Sequence, residues 1–300
     1  MNKLIFIVGP TAVGKTEVAF SLASVIGAEI VSADSMLVYK EPNIITSKPS
    51  NWMRKKIKHY FIDIISVTES YSVFKYYVEA QEIIKNLILK KPIIVCGGSG
   101  LYVKALLDGI FKEPSYDINI RKQLEEEAKK YGKEYLKAKL KKVDPITADK
   151  VFDLRRIIRA LEVYYLTGLP LSEKKKEAKG LWGELPIKIY GLNVKRELLY
   201  DKINKRIEKM FKEGLVDEVK DLLKLNLSLT AKKIIGINEV KGFLEKKYDL
   251  EYAKELMKKN TRHFAKRQLT WFKKDTRINW IDVCNLKIPD IVDLIFKNLN

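Results

Sequence analysis

A segment near the start of the chain carries the residue types of a phosphate-binding loop. It matches the pattern G-x-x-x-x-G-K-[ST] in full, and its members are Gly9, Pro10, Thr11, Ala12, Val13, Gly14, Lys15 and Thr16. The two glycines let the backbone wrap closely around an anion, so that its N–H groups and the next helix N-terminus point inward. Lys15 supplies charge for the terminal phosphates, and the Thr16 hydroxyl can join the shell of a Mg²⁺ ion. We expect a bound diphosphate or polyphosphate, although kinases, ATPases and transferases all use such a loop.

Asp34 is the second group that can do chemistry. It follows residues 28–32, which have the pattern of a short buried strand, and α/β sheets present their chemistry at that edge. A carboxylate there can accept a proton from a substrate. It can equally cap the next helix, so position alone leaves both roles open.

The elements that must position these groups alternate between strand and helix. Buried-strand patterns lie at residues 4–8, 28–32 and 92–96, and helical patterns at residues 15–26 and 74–89. This alternation predicts an α/β fold, in which a P-loop core has a mostly parallel sheet flanked by helices.

The pattern changes beyond the first part of the chain. Residues 119–142 and 148–167 are helical without a strand signal, and a strand pattern returns at residues 187–194. The Lys-rich residues 173–180 are expected to form a solvated, mobile connection. We therefore predict three parts: the first part of the core at residues 1–113, an all-helical insertion domain at 114–180, and the second part of the core, ending in helices, at 181–300.

The composition describes a folded and strongly basic protein. With 57 Lys and Arg against 38 Asp and Glu, the 300-residue chain carries a net charge of +19. Such a surface attracts polyanions, including nucleic acids, although a Lys-rich composition can also come from an AT-rich genome or a hot habitat. The two cysteines, Cys96 and Cys284, exclude a disulfide framework and a zinc finger. No apolar run reaches the roughly 18 residues of a membrane span, so we expect a cytoplasmic protein without a membrane partner.

Five further segments resemble a known family. They are Val-Ser-Ala-Asp-Ser-Met at 31–36, Gly-Gly-Ser-Gly-Leu-Tyr-Val-Lys-Ala-Leu-Leu-Asp-Gly at 97–109, Arg-Arg-Ile-Ile-Arg-Ala-Leu-Glu-Val at 155–163, Tyr-Asp-Lys-Ile-Asn-Lys-Arg at 200–206 and Thr-Arg-His-Phe-Ala-Lys-Arg-Gln-Leu-Thr-Trp-Phe at 261–272. In this order and spacing, together with the phosphate loop, they closely resemble the tRNA dimethylallyltransferase family, also called tRNA isopentenyltransferase. The resemblance covers essentially the whole chain.

The resemblance implies a reaction. Members transfer a dimethylallyl group from dimethylallyl diphosphate to the exocyclic N6 amine of the adenosine 3′ of the anticodon in tRNA, and they release diphosphate. Mg²⁺ is the usual cofactor. The phosphate loop would hold the diphosphate leaving group and hydrolyse nothing.

The resemblance also implies roles for particular residues. Asp34 corresponds to the proposed general base, Ser99 stands where the family usually has Thr beside the diphosphate, and Arg206 corresponds to a diphosphate-contacting arginine. A planar guanidinium suits bidentate contact with phosphate oxygens. These three are the predicted catalytic residues.

The anticodon stem-loop of tRNA is the predicted macromolecular partner of a monomeric enzyme. The residues expected to contact it are Asp34, Ser35, Met36, Leu37, Ser99, Arg121, Arg155, Arg156, Ile157, Ile158, Arg159, Arg262, Lys266 and Arg267. Leu154, Ile158, Leu161 and Tyr165 form an apolar stripe that leaves the neighbouring arginines on other faces. Trp271 is expected to lie in the core.

Several positions depart from the family pattern. Leu37 replaces a usual Gln, residues 40–46 keep little of the usual sequence, a His-Pro-Asn stretch before Asp153 is missing, and Asn238 stands where Lys is common. By the resemblance, these changes affect the parts expected to read tRNA, whereas the parts expected to hold diphosphate are intact.

Three other functions agree less well with the sequence than a tRNA prenyltransferase does. A relative that prenylates free adenine nucleotides would need neither the helical insertion nor the large positive charge. A small-molecule kinase would leave residues 97–109 and 261–272 unexplained. An RNA-binding protein with a vestigial loop disagrees with the intact Lys15, Thr16 and Asp34.

The positive charge generates a first prediction. If it serves tRNA, the affinity for tRNA should fall steeply as the salt concentration rises, because bound phosphates release their counterions. Filter binding across a salt series measures this. A flat response would mean that the charge reflects composition only.

Overall fold

The computed structural model describes residues 3–112 and 117–299 and divides into two compact units. The first unit joins residues 1–104 to residues 182–300, and the second is residues 105–181. Of the domain boundaries predicted from the sequence, the one between residues 113 and 114 lies outside the described residues.

The first unit is built on a six-stranded sheet in which every pairing is parallel. The strands are β1 Leu4–Val8, β2 Glu29–Ser32, β3 His59–Tyr60, β4 Ile93–Gly97, β5 Ile187–Asn193 and β6 Asn279–Asp282, in the order β3-β2-β4-β1-β5-β6. All five residues of β1 are fully buried at the centre of the sheet. The predicted α/β fold and its parallel sheet are confirmed.

The helices follow the strands and flank the sheet or fill the second unit. They are α1 Lys15–Ile26, α2 Asn51–Lys56, α3 Val73–Ile88, α4 Gly100–Asp108, α5 Ile118–Tyr131, α6 Lys133–Val143, α7 Pro145–Lys150, α8 Leu154–Thr167, α9 Leu171–Lys174, α10 Arg196–Lys212, α11 Leu215–Leu222, α12 Ile237–Leu244, α13 Leu250–Phe272 and α14 Ile288–Lys297. Helix α3 shows why these segments form helices. Ser72 caps its N-terminus by accepting a hydrogen bond from the Lys75 amide. Its apolar residues Tyr76, Ala80 and Ile84 recur every four positions and are buried on one face. Within the described part of the chain, no helix combines the length and the apolar character needed to cross a bilayer.

The described residues of the second unit, 105–112 and 117–181, form helices and connecting loops without a strand. Its core is apolar, with Leu124, Leu136, Leu140 and Leu161 at most 1% exposed. The prediction of one helix over residues 148–167 is wrong, because Asp153 accepts a hydrogen bond from the Arg156 amide and starts α8 as a new helix. Part of the predicted connection at 173–180 is also helical, since it includes the end of α9 and a short 3-10 helix, Lys175–Glu177.

A buried carboxylate ties this second unit together. Glu162 is 0% exposed, and its two oxygens accept hydrogen bonds of 2.9 Å each from Nε and Nη2 of Arg121. Nη1 of Arg159 lies 2.5 Å from the same carboxylate, and the Asp117 amide donates to it at 3.3 Å. Burial raises the pKa of Glu162, but the hydrogen bonds from the two arginines outweigh it and hold the pKa below its ordinary value.

The Glu162 cluster generates a stability prediction. Glu162→Ala should lower the free energy of unfolding by about 3 kcal/mol, because it removes the buried carboxylate that accepts hydrogen bonds from two partly buried guanidiniums. Since the folded-state pKa is depressed, the stabilisation is present above pH 4.5 and is lost as the pH falls through the folded pKa. Urea unfolding at pH 7 and at acid pH measures both effects.

The matched control is Glu173→Ala. Glu173 pairs with Lys176 on the surface, where both side chains are about half exposed or more, so its removal should cost less than about 1 kcal/mol. Equal losses for the two variants would contradict the role given to Glu162.

Candidate active site

The phosphate loop, residues 9–16, joins the buried strand β1 to helix α1. Gly9 opens it at φ 144°, and a Cβ placed there would lie 2.6 Å from the Leu192 carbonyl oxygen of β5, so only glycine fits. Ala12 and Gly14 also have positive φ, 63° and 104°, as the chain turns back to start α1 at Lys15. The loop therefore leaves the centre of the sheet and leads directly into a helix N-terminus, the geometry that favours an anion.

Lys15 is held inside this loop. Its Nζ donates to the Pro10 carbonyl oxygen at 2.7 Å. Burial lowers the pKa of Lys15 below its ordinary value, and the nearby Asp34 carboxylate partly opposes the shift. A buried ammonium with few partners gains strongly from a bound anion, so an anion in the loop would favour its charged form.

Two loops beside the phosphate loop are joined by serine hydroxyls. The Ser35 amide donates to Ser99 Oγ at 2.9 Å, and that hydroxyl donates to Ser35 Oγ at 3.2 Å. The Ser99 amide donates to the Ala33 carbonyl at 3.1 Å. Asp34 lies between Ala33 and Ser35 in the first of these loops. Its Oδ1 accepts a hydrogen bond of 2.9 Å from the Met36 amide. The structure thus brings the predicted Asp34 and Ser99 into one cluster.

Arg206, on α10, bonds the phosphate loop to Ser47 and lines both cavities together with Asp34. Its Nη1 donates to Thr11 Oγ1 at 3.1 Å, and its Nε donates to Ser47 Oγ at 2.9 Å. Burial lowers the pKa of Arg206, with Asp34 opposing the shift, yet a guanidinium remains protonated at neutral pH. A fixed positive charge therefore faces both Thr11 and the Asp34 side of the site.

Sequence reasoning missed Gln268, on α13. It is 7% exposed, its Oε1 accepts from the Thr11 amide at 2.8 Å, and its Nε2 donates to the Gly98 carbonyl at 2.9 Å. Its position within the segment 261–272 was a usable signal, but only Arg262, Lys266 and Arg267 of that segment were predicted to contact a substrate. Buried amides need partners, and both of these are backbone groups of the site.

Two cavities meet at these residues. A polar cavity of about 990 Å³ is lined by Lys15 and Thr16, and an apolar cavity of about 610 Å³ is lined by Ser99. Six residues line both: Thr11, Asp34, Thr46, Arg206, Met210 and Gln268. The arrangement can hold a phosphate group in one cavity and an apolar or aromatic group in the other, with a carboxylate and a guanidinium at the junction.

The wall of the apolar cavity is rich in aromatic rings. Tyr71, Tyr102, Phe264 and Trp271 line it, and the Tyr102 ring stacks on the buried Tyr76 with centroids 4.0 Å apart. Trp271 is 40% exposed, so the prediction that it lies in the core is wrong. Helix α13 turns this side chain toward the cavity, while its neighbour Phe272 is buried.

The residues predicted to contact tRNA fall into several environments in the first unit. Ser35, Met36 and Arg267 line the apolar cavity, whereas Leu37 lines the polar one. Lys266 is exposed on α13. Arg262 donates to Asn204 Oδ1 at 3.0 Å. Their contact with tRNA stays a prediction.

In the second unit, part of the tRNA prediction is corrected. Ile157 and Ile158 are 0% and 5% exposed and belong to the apolar core, so their side chains cannot reach an RNA. Arg155 and Arg156 are exposed on the same helix. Tyr165, assigned to the apolar stripe, is 47% exposed, because the buried face of α8 is centred on Ile157 and Leu161.

The donor set at the phosphate loop bears on Mg²⁺. Across residues 3–112 and 117–299, no three His, Cys, Asp or Glu side chains gather into a metal-binding group. Mg²⁺ usually takes only one or two protein ligands beside substrate phosphates and keeps several waters. The Thr16 hydroxyl, which lines the polar cavity, fits that sparse mode of binding.

The fold and the site together define a P-loop protein with a polar phosphate cavity and an adjoining apolar cavity. A family model described as IPP transferase matches residues 37–275, and the chain belongs to this family of prenyltransferase enzymes. Curated relatives include the tRNA dimethylallyltransferase of Halothermothrix orenii, 45% identical over 94% of this chain and 88% of the relative, and that of Thermotoga maritima, 43% identical over 96% and 94%. The resemblance inferred from the sequence is confirmed.

Solved structures agree with this assignment. The tRNA isopentenylpyrophosphate transferase of Bacillus halodurans is 34% identical, with a TM-score of 0.73 over 100% of this chain and 97% of that chain. A eukaryotic dimethylallyltransferase acting on tRNA is 28% identical, with a TM-score of 0.81 over 95% of this chain and 75% of that chain.

The phosphate loop generates a binding prediction. Lys15→Ala should weaken the binding of inorganic pyrophosphate by about 10- to 100-fold, because it removes a charge-assisted contact. Isothermal titration in the presence of Mg²⁺ measures the dissociation constant. Lys90→Ala, which changes an exposed lysine, is the control and should leave binding unaltered. An unchanged constant for Lys15→Ala would refute the assignment of this loop.

Proposed function

We propose that the protein transfers a dimethylallyl group from dimethylallyl diphosphate to the N6 amine of the adenosine 3′ of the anticodon in tRNA, releasing diphosphate. The observation that carries the proposal is the junction of the two cavities at Asp34 and Arg206. The relatives named tRNA dimethylallyltransferase support the choice of donor and acceptor.

The donor would bind with its diphosphate in the phosphate loop. Lys15 and the α1 N-terminus would hold the terminal phosphate, and Arg206 would meet the oxygens nearer the alkyl group. The dimethylallyl group would then extend from the polar cavity into the apolar one, where Met210 lines both. Burial of this apolar group would separate the reacting carbon from bulk water.

The acceptor would enter the apolar cavity as a flipped adenine. Removing a base from its stack costs a few kcal/mol, and stacking on aromatic rings such as Tyr102 and Trp271 would offset that cost. The exposed Arg155 and Arg156 remain the proposed phosphate contacts of the second unit.

The chemistry is one substitution with one proton transfer. The N6 lone pair forms a bond to C1 of the dimethylallyl group, and the C1–O bond breaks with its electron pair going to the diphosphate oxygen. The Asp34 carboxylate accepts the proton that N6 loses. Arg206 and Lys15 stabilise the negative charge that grows on the leaving diphosphate.

The proposal includes a Mg²⁺ ion beside Thr16. When bound, the ion would neutralise charge on the diphosphate and so assist its departure. We further propose that the protein acts as a monomer. Residence in the cytoplasm remains a prediction.

Asp34 generates the central mutational prediction. Asp34→Asn should lower turnover by about two to four orders of magnitude and leave the affinity for tRNA nearly unchanged, because only the base is lost. The Asn side chain can still accept the hydrogen bond from the Met36 amide, so the loop keeps its turn.

Asp34→Ala serves as the companion variant, since it removes both the base and the turn. Both variants should be slow in single-turnover assays. If Asp34→Asn keeps near wild-type turnover while Asp34→Ala does not, the carboxylate holds the loop and is not the base.

The proposed function itself is tested by a transfer assay. Purified protein, Mg²⁺ and radiolabelled dimethylallyl diphosphate are offered tRNA in one reaction and AMP, ADP or ATP in others. Label at an adenosine 3′ of the anticodon supports the proposal. Label in free nucleotide alone would assign the protein to the enzymes that prenylate small nucleotides.

A further inference from the structure

We propose that Gln268 is a positioning residue, which sets the distance between the diphosphate-holding loop and the acceptor-side loop. The inference rests on the proposed function, because it assigns the two loops to donor and acceptor. Gln268 itself needs to touch neither substrate.

The primary observation is one buried amide that bonds both loops. Gln268 Oε1 accepts from the Thr11 amide at 2.8 Å, and Nε2 donates to the Gly98 carbonyl at 2.9 Å. At 7% exposure, this side chain has little access to water as a substitute partner. The two loops are therefore joined through a single rigid group from α13.

The surroundings admit glutamine specifically. The amide must place its oxygen toward an N–H and its nitrogen toward a carbonyl, so an ionised Glu would face the Gly98 carbonyl with a second acceptor. Gly98 leaves room for the contact, since a Cβ at that position would lie 2.2 Å from Gln268 Nε2. The Thr11 N–H and the Gly98 carbonyl therefore match the acceptor and the donor of the Gln268 amide.

The link continues on both sides into the chemistry. Thr11 Oγ1 accepts from Arg206, and Ser99, next to Gly98, exchanges hydrogen bonds with Ser35. An unbroken path therefore runs from Arg206 through Thr11, Gln268 and Gly98–Ser99 to the loop of Asp34. Because reacting atoms must approach within about 3–3.5 Å, a shift of about 1 Å in this path can cost about 10²-fold in rate.

The first test is Gln268→Met, which keeps the length of the side chain and removes both hydrogen bonds. We expect kcat to fall by about 10- to 100-fold, while the dissociation constants for pyrophosphate and for tRNA change by less than about threefold. Binding should persist because the Thr11 N–H donates to Gln268 in the wild-type protein and so is not one of the groups free to bind phosphate. The other groups of the phosphate loop are unchanged in the variant. Amide hydrogen exchange in the phosphate loop should accelerate.

The second test approaches the same contact from the other side. Gly98→Ala retains Gln268 but displaces its Nε2, and Gly98 has no positive φ that alanine would strain. It should reproduce the loss of kcat. The double variant should be little worse than either single one, because both changes break one link.

A stability control separates positioning from folding. Val240→Ala truncates a fully buried side chain of α12 that lines neither cavity, so it should lower Tm and leave kcat and loop exchange unchanged. The proposal is overturned if folded Gln268→Met and Gly98→Ala both keep kcat within about threefold of wild type, or if their losses multiply in the double variant. A wild-type protein inactive in the transfer assay would instead overturn the proposed function, and loop exchange would still test the link.

Discussion

The site depends on one constraint, which is that all six strands of the sheet run in the same direction. Parallel strands end at the same edge, so the loops that follow them meet there. The phosphate loop follows β1, Asp34 follows β2 and Ser99 follows β4, and these three strands are neighbours in the order β2-β4-β1. Residues far apart in sequence therefore converge, and short side-chain hydrogen bonds suffice to join them.

The positive charge of the chain is partly committed to its own structure. Arg121 and Arg159 bind the buried Glu162, and Arg206 bonds to Thr11 and Ser47 inside the site. Arg121 and Arg159 therefore have a carboxylate partner inside the second unit, whereas Arg206 contributes its charge to the phosphate-binding site. Exposed residues such as Arg155 are not buried in this way and remain accessible at the surface.

What could be predicted from the sequence divides by the range of the interactions involved. The phosphate loop and β1 were predictable, because a buried apolar run followed by a glycine turn is a local signal. Strands β3 and β6 were not, since these edge strands are short and only partly buried. Gln268 was missed for a different reason: its hydrogen bonds join it to Thr11 and Gly98, which are far from it in the sequence. The exposure of Trp271 likewise follows from which face of α13 meets the cavity.

The hydrogen bond between Thr11 and Gln268 also orders events during synthesis of the chain. These residues are separated by 257 positions. At about 5–20 residues per second, the phosphate loop leaves the ribosome roughly 10 to 50 seconds before Gln268 does. Strand β1 must wait as well, because its neighbours β4 and β5 are translated later. A nascent chain that ends before β4 would thus expose the apolar residues of β1, and its phosphate loop would lack the hydrogen bond from Gln268.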